Sequence, residues 1–158
     1  MLILVVGDTH GKKDLMRKEI KKLPPIDLLL HTGDHFQDGH ALAGQMKIQC
    51  NAVAGNCDWK KQEPDERILE IAGHRIFLTH GHLYNVKRSM NNLYFKARQN
   101  LIDIVIFGHT HMACLEREDN IWFMNPGSPS FPRAGGTGTY GLIQLNPGQA
   151  DLRIVEIT

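Results

Sequence analysis

A chain of 158 residues is long enough for one compact domain, and its 42% hydrophobic and 22% charged residues are ordinary for a globular protein. The net charge of +1 gives no strong field toward nucleic acid or membranes, and no apolar run approaches the roughly 20 residues that span a bilayer. We therefore expect a single domain over residues 1–158 and no membrane partner, and nucleic acid stays open only as a disfavoured substrate.

The opening segment MLILVVGDTHG has no charged leader and no cleavage site, which predicts a buried strand and not a signal peptide. The chain has three cysteines, Cys50, Cys57 and Cys114, and this odd number predicts free thiols. Free thiols are typical of a reducing compartment, so the predicted location is cytoplasmic.

The first half of the chain alternates apolar runs with helical patterns. Residues 2–6 (LILVV) are apolar throughout, as in a strand that is buried on both faces. Residues 12–23 place Leu15, Met16, Ile20 and Leu23 on one helical stripe among lysines. Further strands are predicted at 26–31 and 48–54, and a short helix at 39–47. This order predicts a parallel sheet flanked by helices.

The second half of the chain contains more strands than helices. Two apolar runs around Ala72-Gly73 predict a β-hairpin, and one amphipathic helix follows it. The predicted strands are 66–72, 74–79, 103–107, 113–117, 121–124, 139–145 and 150–157, and the predicted helix is 86–99.

Five short polar motifs each follow an apolar run directly. They are Gly7-Asp8-Thr9-His10, Gly33-Asp34, Gly55-Asn56, His80-Gly81-His82 and Gly108-His109-Thr110-His111. Ligands of open α/β sheets bind outside the carboxyl ends of the strands, where these motifs are predicted to lie. Carboxylates combined with imidazoles suit Mn, Fe, Zn or Ni better than Ca or a thiolate-only site. The motifs therefore predict a metal site.

The spacing within the motifs suggests how many ions bind. Asp8 and His10 are two residues apart, as are His109 and His111, and in an extended segment such pairs project to the same side. Each pair is therefore expected to reach one point. The candidate ligands are Asp8, His10, Asp34, Asn56, His80, His109 and His111. One ion of about four to six ligands needs fewer than these, so a two-metal centre with a shared carboxylate accounts for them better.

The motif order D-x-H, G-D, G-N, H and G-H-x-H resembles the calcineurin-like metallophosphoesterases, and specifically their small YfcE-type branch. The resemblance runs from Asp8 to the turn Asn125-Pro126-Gly127-Ser128. It implies an α/β fold, a four-layer αββα sandwich of two mixed sheets flanked by helices, with the metal site at one edge.

The resemblance also implies the cofactors and the reaction. It assigns Asp8, His10 and His111 to one ion, Asn56, His80 and His109 to a second, and Asp34 to both. Two divalent ions per chain are expected, with Mn preferred and Ni, Zn or Fe as alternatives. A hydroxide activated between them would attack a small phosphodiester. The implied assembly is a homo-oligomer, either a dimer or a tetramer. The predicted catalytic residues are Asp34, Asn56, Cys57 and His80.

Cys57 departs from the wider family, in which a histidine often follows the G-N asparagine. The sequence G-N-C-D, with Asp58 next, is frequent in the small branch. Three roles stay open for Cys57: a buried structural thiol, a weak general acid beside the phosphate, and a thiolate whose pKa is lowered by the metals.

Other polar residues near the motifs have two interpretations each. His35 and His82 could orient ligands or lie on a polar rim, and Asp58 could orient a ligand histidine or cap a strand end. Ser128 and Arg133 lie in a turn-rich segment that the family places near the site, where Arg133 could meet a phosphate or remain in solvent.

Two competing functions remain open. The same fold serves as the scaffold subunit of retromer, which would make the chain a protein-interaction platform. A nuclease or nucleotide phosphomonoesterase is the other, for which Trp59, Tyr84 and Phe36 could stack a base. The near-neutral charge argues against the nuclease.

Overall fold

A computed structural model of the chain describes residues 1–59 and 62–158, which contain ten strands and three α-helices. The strands are β1 (Leu2–Val6), β2 (Leu28–His31), β3 (Gln49–Ala52), β4 (Glu66–Ile71), β5 (His74–Thr79), β6 (Ile104–Ile106), β7 (Cys114–Glu118), β8 (Ile121–Asn125), β9 (Thr139–Asn146) and β10 (Gln149–Glu156). The helices are α1 (Asp14–Glu19), α2 (Phe36–Met46) and α3 (Asn91–Gln99). Among these residues, no helix has the length and apolar character needed to cross a membrane.

The strands form two mixed five-stranded sheets. The first has the order β10-β9-β1-β2-β3, and the second has the order β4-β5-β6-β8-β7. Strands β1, β2 and β3 are parallel, as predicted, and the two strands at the end of the chain extend this sheet in antiparallel pairing. The predicted hairpin around Ala72-Gly73 is confirmed, with Ile71 opposite His74.

Apolar side chains pack in three separate layers. Along β1, Ile3 and Val5 lie in the core between the two sheets, whereas Leu4 and Val6 pack with residues of α1 and α2. This alternation explains why the strand is apolar at every position. On the far face of the second sheet, Leu93 of α3 packs into a third cluster. The order helix, sheet, sheet, helix confirms the predicted four-layer α/β sandwich.

The helices differ from their predicted bounds. Helix α1 has six residues, and Leu15 is 42% exposed, so its predicted place on the apolar stripe is wrong. Helix α3 begins at Asn91, and Val86 stays buried in the turns before it. Helix α2 begins at Phe36, directly after His35 adopts a left-handed conformation. For Val86 the apolar spacing correctly indicates burial, although it does not indicate where the helix begins.

Six strands end at the edge of the sandwich that carries the polar motifs. Strands β1, β2 and β3 are parallel within the first sheet, as β5, β6 and β8 are within the second. The loops after β1 and β6 meet across the two sheets, where the N–H of His109 donates to Oδ2 of Asp8 at 3.0 Å. The carboxyl ends of both sheets therefore surround one region.

Candidate metal centre

The loops that carry the predicted ligands turn through left-handed backbone conformations. Positive φ angles occur at Asp8 (50°), His10 (48°), Asp34 (55°), His109 (70°) and His111 (58°). Such angles are uncommon for residues other than glycine and concentrate at functional sites, where the surrounding structure enforces them. The prediction that Asp-x-His and His-x-His are extended is therefore wrong, although the motifs do lie at strand ends.

Four side chains from three loops form a compact acidic and imidazole group, consisting of Asp8, His10, Asp34 and His111. One ligand atom of each lies within 4.8 Å of the others. The Nε2 atoms of His10 and His111 are 3.2 Å apart. Two nitrogens that bind one tetrahedral ion at ordinary distances are separated by about 3.3 Å. This group can hold a metal ion.

The hydrogen bonding of this group leaves a position for a cation. Oδ1 of Asp8 is buried and accepts no hydrogen bond from the described residues, although it lies 3.3 Å from Nε2 of His111. The Nδ1–H of His111 donates to the carbonyl of Phe131 at 2.9 Å, which turns Nε2 toward the carboxylate. A buried carboxylate oxygen without a donor is unfavourable. The contact with Asp8 raises the pKa of His111 against the effect of burial, so Asp8 favours a positive charge beside it. A metal ion would supply that charge.

Asp34 lies between this group and a second set of side chains. Its Oδ2 is 3.6 Å from Nε2 of His10, and its Oδ1 is 3.5 Å from Nε2 of His80. Burial raises the pKa of Asp34, but His80, a hydrogen bond from the N–H of Cys57 and His10 together hold that pKa below its ordinary value. Asp34 is therefore ionised at neutral pH, with one oxygen toward each set.

The second set is centred on His80, whose side chain is fully buried. Its Nδ1–H donates to the carbonyl of Thr32 at 2.8 Å, and its Nε2 faces Oδ1 of Asn56 at 3.0 Å. A ring whose Nδ1–H is committed to Thr32 presents the lone pair of Nε2 toward Asn56, so this nitrogen and the amide oxygen of Asn56 could both bind a cation. The ring of His109 lies 5.0 Å from that of His80 between centroids. Burial lowers the pKa of His109 to about 4, which keeps a lone pair available.

His109 and His111 consequently lie on different sides of Asp34. His111 belongs to the compact group with Asp8, whereas His109 is outside that group and beside His80. The prediction that this pair reaches one point is wrong, because each residue has its own left-handed turn.

A family model described as the calcineurin-like phosphoesterase superfamily domain matches residues 1–148. The chain belongs to this family. The probable metallophosphoesterase YsnB of Bacillus subtilis is 30% identical over 158 residues, spanning 99% of this chain and 91% of that protein. The phosphodiesterase YfcE of Escherichia coli is 35% identical over 103 residues, spanning 58% of this chain and 50% of that protein. The resemblance drawn from the motifs is confirmed.

Solved structures of other proteins share the fold of this chain. A conserved Streptococcus pneumoniae protein, described as a predicted phosphoesterase, matches with a TM-score of 0.83 at 25% identity, over 98% of this chain and 88% of that one. Vps29 of Entamoeba histolytica, complexed with zinc, matches with a TM-score of 0.79 at 21% identity over both whole chains. Family membership and the metal-binding group together make this chain a metal-dependent phosphoesterase.

Cys57 of this phosphoesterase lines the pocket above Asp34 and His10. It is only partly buried and is a free thiol, as are Cys50 and Cys114, so the interpretation of Cys57 as a buried structural thiol is wrong. Burial, a hydrogen bond with Asp34 and the charge of that carboxylate raise the pKa of Cys57 to about 11. The thiol therefore keeps its proton unless nearby cations offset these effects.

Three polar neighbours of the motifs have different roles. The ring of His35 lies 5.9 Å from that of His10, and the ring of His82 lies 5.2 Å from that of His80. Both pack around ligand rings. Asp58 accepts from the N–H groups of His35 and Gly55, each at 2.8 Å, so it joins the loops after β2 and β3. Of its two interpretations, the structure supports the cap.

Asn125, whose role the sequence did not reveal, holds the loop that carries His109. It ends β8 and is fully buried. Its side-chain amide donates to the carbonyl of Gly108 at 3.0 Å and to Oγ1 of Thr110 at 2.9 Å. The one available signal was the Pro-Gly pair after it, which marks the end of a sixth strand at this edge.

Ser128 joins two ligand loops through one buried hydroxyl. Its Oγ donates to the carbonyl of Asp8 at 2.8 Å and accepts from the N–H of Phe131 at 2.9 Å. Phe131 in turn accepts from His111, so Ser128 connects the backbone at Asp8 to the orientation of His111.

Replacing Ser128 by alanine is expected to lower the free energy of unfolding of the metal-free protein by about 1–3 kcal/mol, because buried backbone groups lose their partner. Chemical denaturation measures this change. The matched control is Ser130→Ala in the same loop, whose hydroxyl donates to Lys12 near the surface, where water can replace it. Equal stability of the two variants would contradict the role assigned to Ser128.

The pocket above the metal group has a volume of about 620 Å³, within the range of about 300–1,000 Å³ that is typical of small-molecule sites. Besides ligand side chains it is lined by Lys87, Phe131 and Arg133. The aromatic residues predicted to stack a base lie elsewhere: Phe36 is buried, and the ring of Tyr84 packs against Phe77. Trp59 is 96% exposed and is not among the lining residues.

Proposed function

We propose that this phosphoesterase is a two-metal phosphodiesterase. The observation that carries the proposal is the division of the Asp34 carboxylate, whose Oδ2 faces His10 at 3.6 Å and whose Oδ1 faces His80 at 3.5 Å. A carboxylate placed in this way can bind two cations at once. The divided contacts support a shared ligand. Oδ1 of Asp8, which is buried and accepts no hydrogen bond from the described residues, supports a cation in the first position.

In this proposal Asp8, His10 and His111 would hold the first ion, and Asn56, His80 and His109 would hold the second. Asp34 would be a ligand of both. When bound, two divalent ions would supply charge neutralisation for a phosphate and a lowered pKa for water. Mn is the preferred metal, with Ni, Zn or Fe as alternatives.

The residues of the chain itself provide orientation and charge. The carbonyls of Phe131 and Thr32 fix the rings of His111 and His80 so that Nε2 of each faces the site. Asn56 offers an amide N–H₂ in addition to its oxygen, so it can also donate to a phosphate oxygen. Without metals the pKa of the Cys57 thiol is about 11, so the thiol is a weak acid, and cations that turned it into a thiolate would leave it no proton to donate to a leaving oxygen. Substrates with good leaving groups are therefore favoured.

The test is hydrolysis of bis(4-nitrophenyl) phosphate and of 4-nitrophenyl phosphate by metal-stripped protein, with Mn, Ni, Zn, Fe and Mg returned separately. We expect metal-dependent cleavage of the diester and two ions bound per chain by elemental analysis. Faster cleavage of the monoester would favour the phosphomonoesterase alternative. Two tightly bound ions without turnover would favour the scaffold alternative, for which Vps29 with bound zinc shares the fold.

A further inference from the structure

A groove of about 910 Å³ adjoins the metal pocket. Its walls are mostly apolar and come from the turns before α3, from the end of β6 and from β7. The side chains that form them include Val86, Met90, Phe107, Met112 and Leu115. This volume is within the range of about 300–1,000 Å³ that is typical of small-molecule sites.

Two cationic side chains stand where the groove meets the metal pocket, because Lys87 and Arg133 line both. Arg133 is fixed at this boundary by two contacts with the loop of the metal ligands. Its backbone N–H donates to the carbonyl of His111, and its Nε donates to the carbonyl of Thr110, each at 3.3 Å. Lys87 is close enough to His109 to contribute to lowering the pKa of that ring.

The groove exposes apolar surface directly beside the ligand loop. Met112 follows the ligand His111 in the chain and is 60% exposed. An unbranched thioether adapts to the shape of an apolar ligand, and covering it would remove apolar surface from water. The metal group, the two cations and the apolar wall follow one another in space. This order matches a ligand that has an anionic centre and an apolar substituent.

We propose that this groove receives an aryl or similarly apolar ester group of the substrate, while Lys87 and Arg133 face the phosphate. The inference rests on the proposed phosphodiesterase function and narrows it to phosphodiesters with at least one such ester group. Continuity with the metal pocket favours the substrate as the occupant over a second copy of the chain, because the cations at the junction match a phosphate.

Binding of two model anions to the Mn²⁺-loaded protein tests this inference without requiring turnover. Dimethylphosphinate and diphenylphosphinate carry the same charge, have no ester bond to hydrolyse and differ in their apolar groups. We expect diphenylphosphinate to bind about tenfold more tightly to the unmodified protein, as measured by calorimetry. Met112→Ser should reduce this preference at least about threefold, and Arg133→Gln should weaken both ligands by similar factors.

The matched control is Phe95→Ser on α3, because Phe95 is also 60% exposed and is not among the residues that line the groove. An unchanged preference in Met112→Ser, or equal binding of the two anions to the unmodified protein, overturns the groove assignment. Continued metal-dependent hydrolysis would in that case leave the phosphodiesterase proposal standing. Dissociation of an oligomer by Met112→Ser would instead make the groove an interface between copies. Absence of both anion binding and hydrolysis would end both proposals.

Discussion

Asp34→Asn is expected to lower metal-dependent diester hydrolysis by more than about 1,000-fold while the fold is kept. Asparagine has nearly the same size, and its Oδ1 can still accept the hydrogen bond that the N–H of Cys57 donates at 2.9 Å. It lacks the negative charge that Asp34 presents to both His10 and His80. The loss should therefore fall on cation binding and not on packing.

Two measurements separate these effects. Elemental analysis should find fewer than two tightly bound ions per chain in Asp34→Asn, and thermal denaturation of the metal-free forms should give similar midpoints. The control is Asp14→Asn. Asp14 is an exposed carboxylate that pairs with Arg17 on the surface, so hydrolysis should be unchanged. Full activity of Asp34→Asn in the presence of added metal would contradict the assignment of Asp34 as the shared ligand.

The polar motifs could be predicted from the sequence because each stands immediately after an apolar run. The run LILVV is buried on both faces of its sheet, and the first polar side chain after it, Asp8, emerges at the strand end. Apolar periodicity also gave the hairpin around Ala72-Gly73 and the strands of the second half. These are local signals, and the family resemblance extended them to the α/β sandwich.

The conformation of the loops could not be predicted in the same way, because distant residues set it. The N–H of His10 contacts the carbonyl of Asp34 at 3.4 Å, and the N–H of His109 binds Asp8, which is 101 positions away. Two-residue spacing contains no information on such contacts, which is why the predicted extended geometry is wrong. The role of Asn125 could not be predicted for the same reason, since its side chain contacts the backbone of another loop.

The apolar groove beside the metal pocket also has no signature in the sequence. Met90, Phe107 and Leu115 each belong to a pattern that predicts core packing, and only their arrangement around Met112 forms a continuous wall. A groove of this kind depends on which apolar side chains remain uncovered after the elements pack, and periodicity does not determine that.

Gly55→Ala is expected to reduce hydrolysis by about 100-fold and the free energy of unfolding of the metal-free protein by about 1–3 kcal/mol. A Cβ atom at Gly55 would lie 2.1 Å from Oδ1 of Asp34 and 2.5 Å from the backbone nitrogen of Asp34. Neither contact is tolerable, and the backbone atom cannot rotate away. The loop after β2 would have to move, and the carboxylate would move with it.

Gly44→Ala is the matched control, since a Cβ atom there meets nothing within 4 Å. Gly44 lies inside α2, where alanine is the better helix former, so this variant should gain about 0.5–1 kcal/mol and keep its activity. Activity assays of both metal-loaded proteins and denaturation of both metal-free proteins give the comparison. Because the two substitutions add the same methyl group, a large difference between them isolates the close approach of the β3 loop to Asp34. If Gly55→Ala were as active and as stable as Gly44→Ala, that close approach could not be what positions the shared carboxylate.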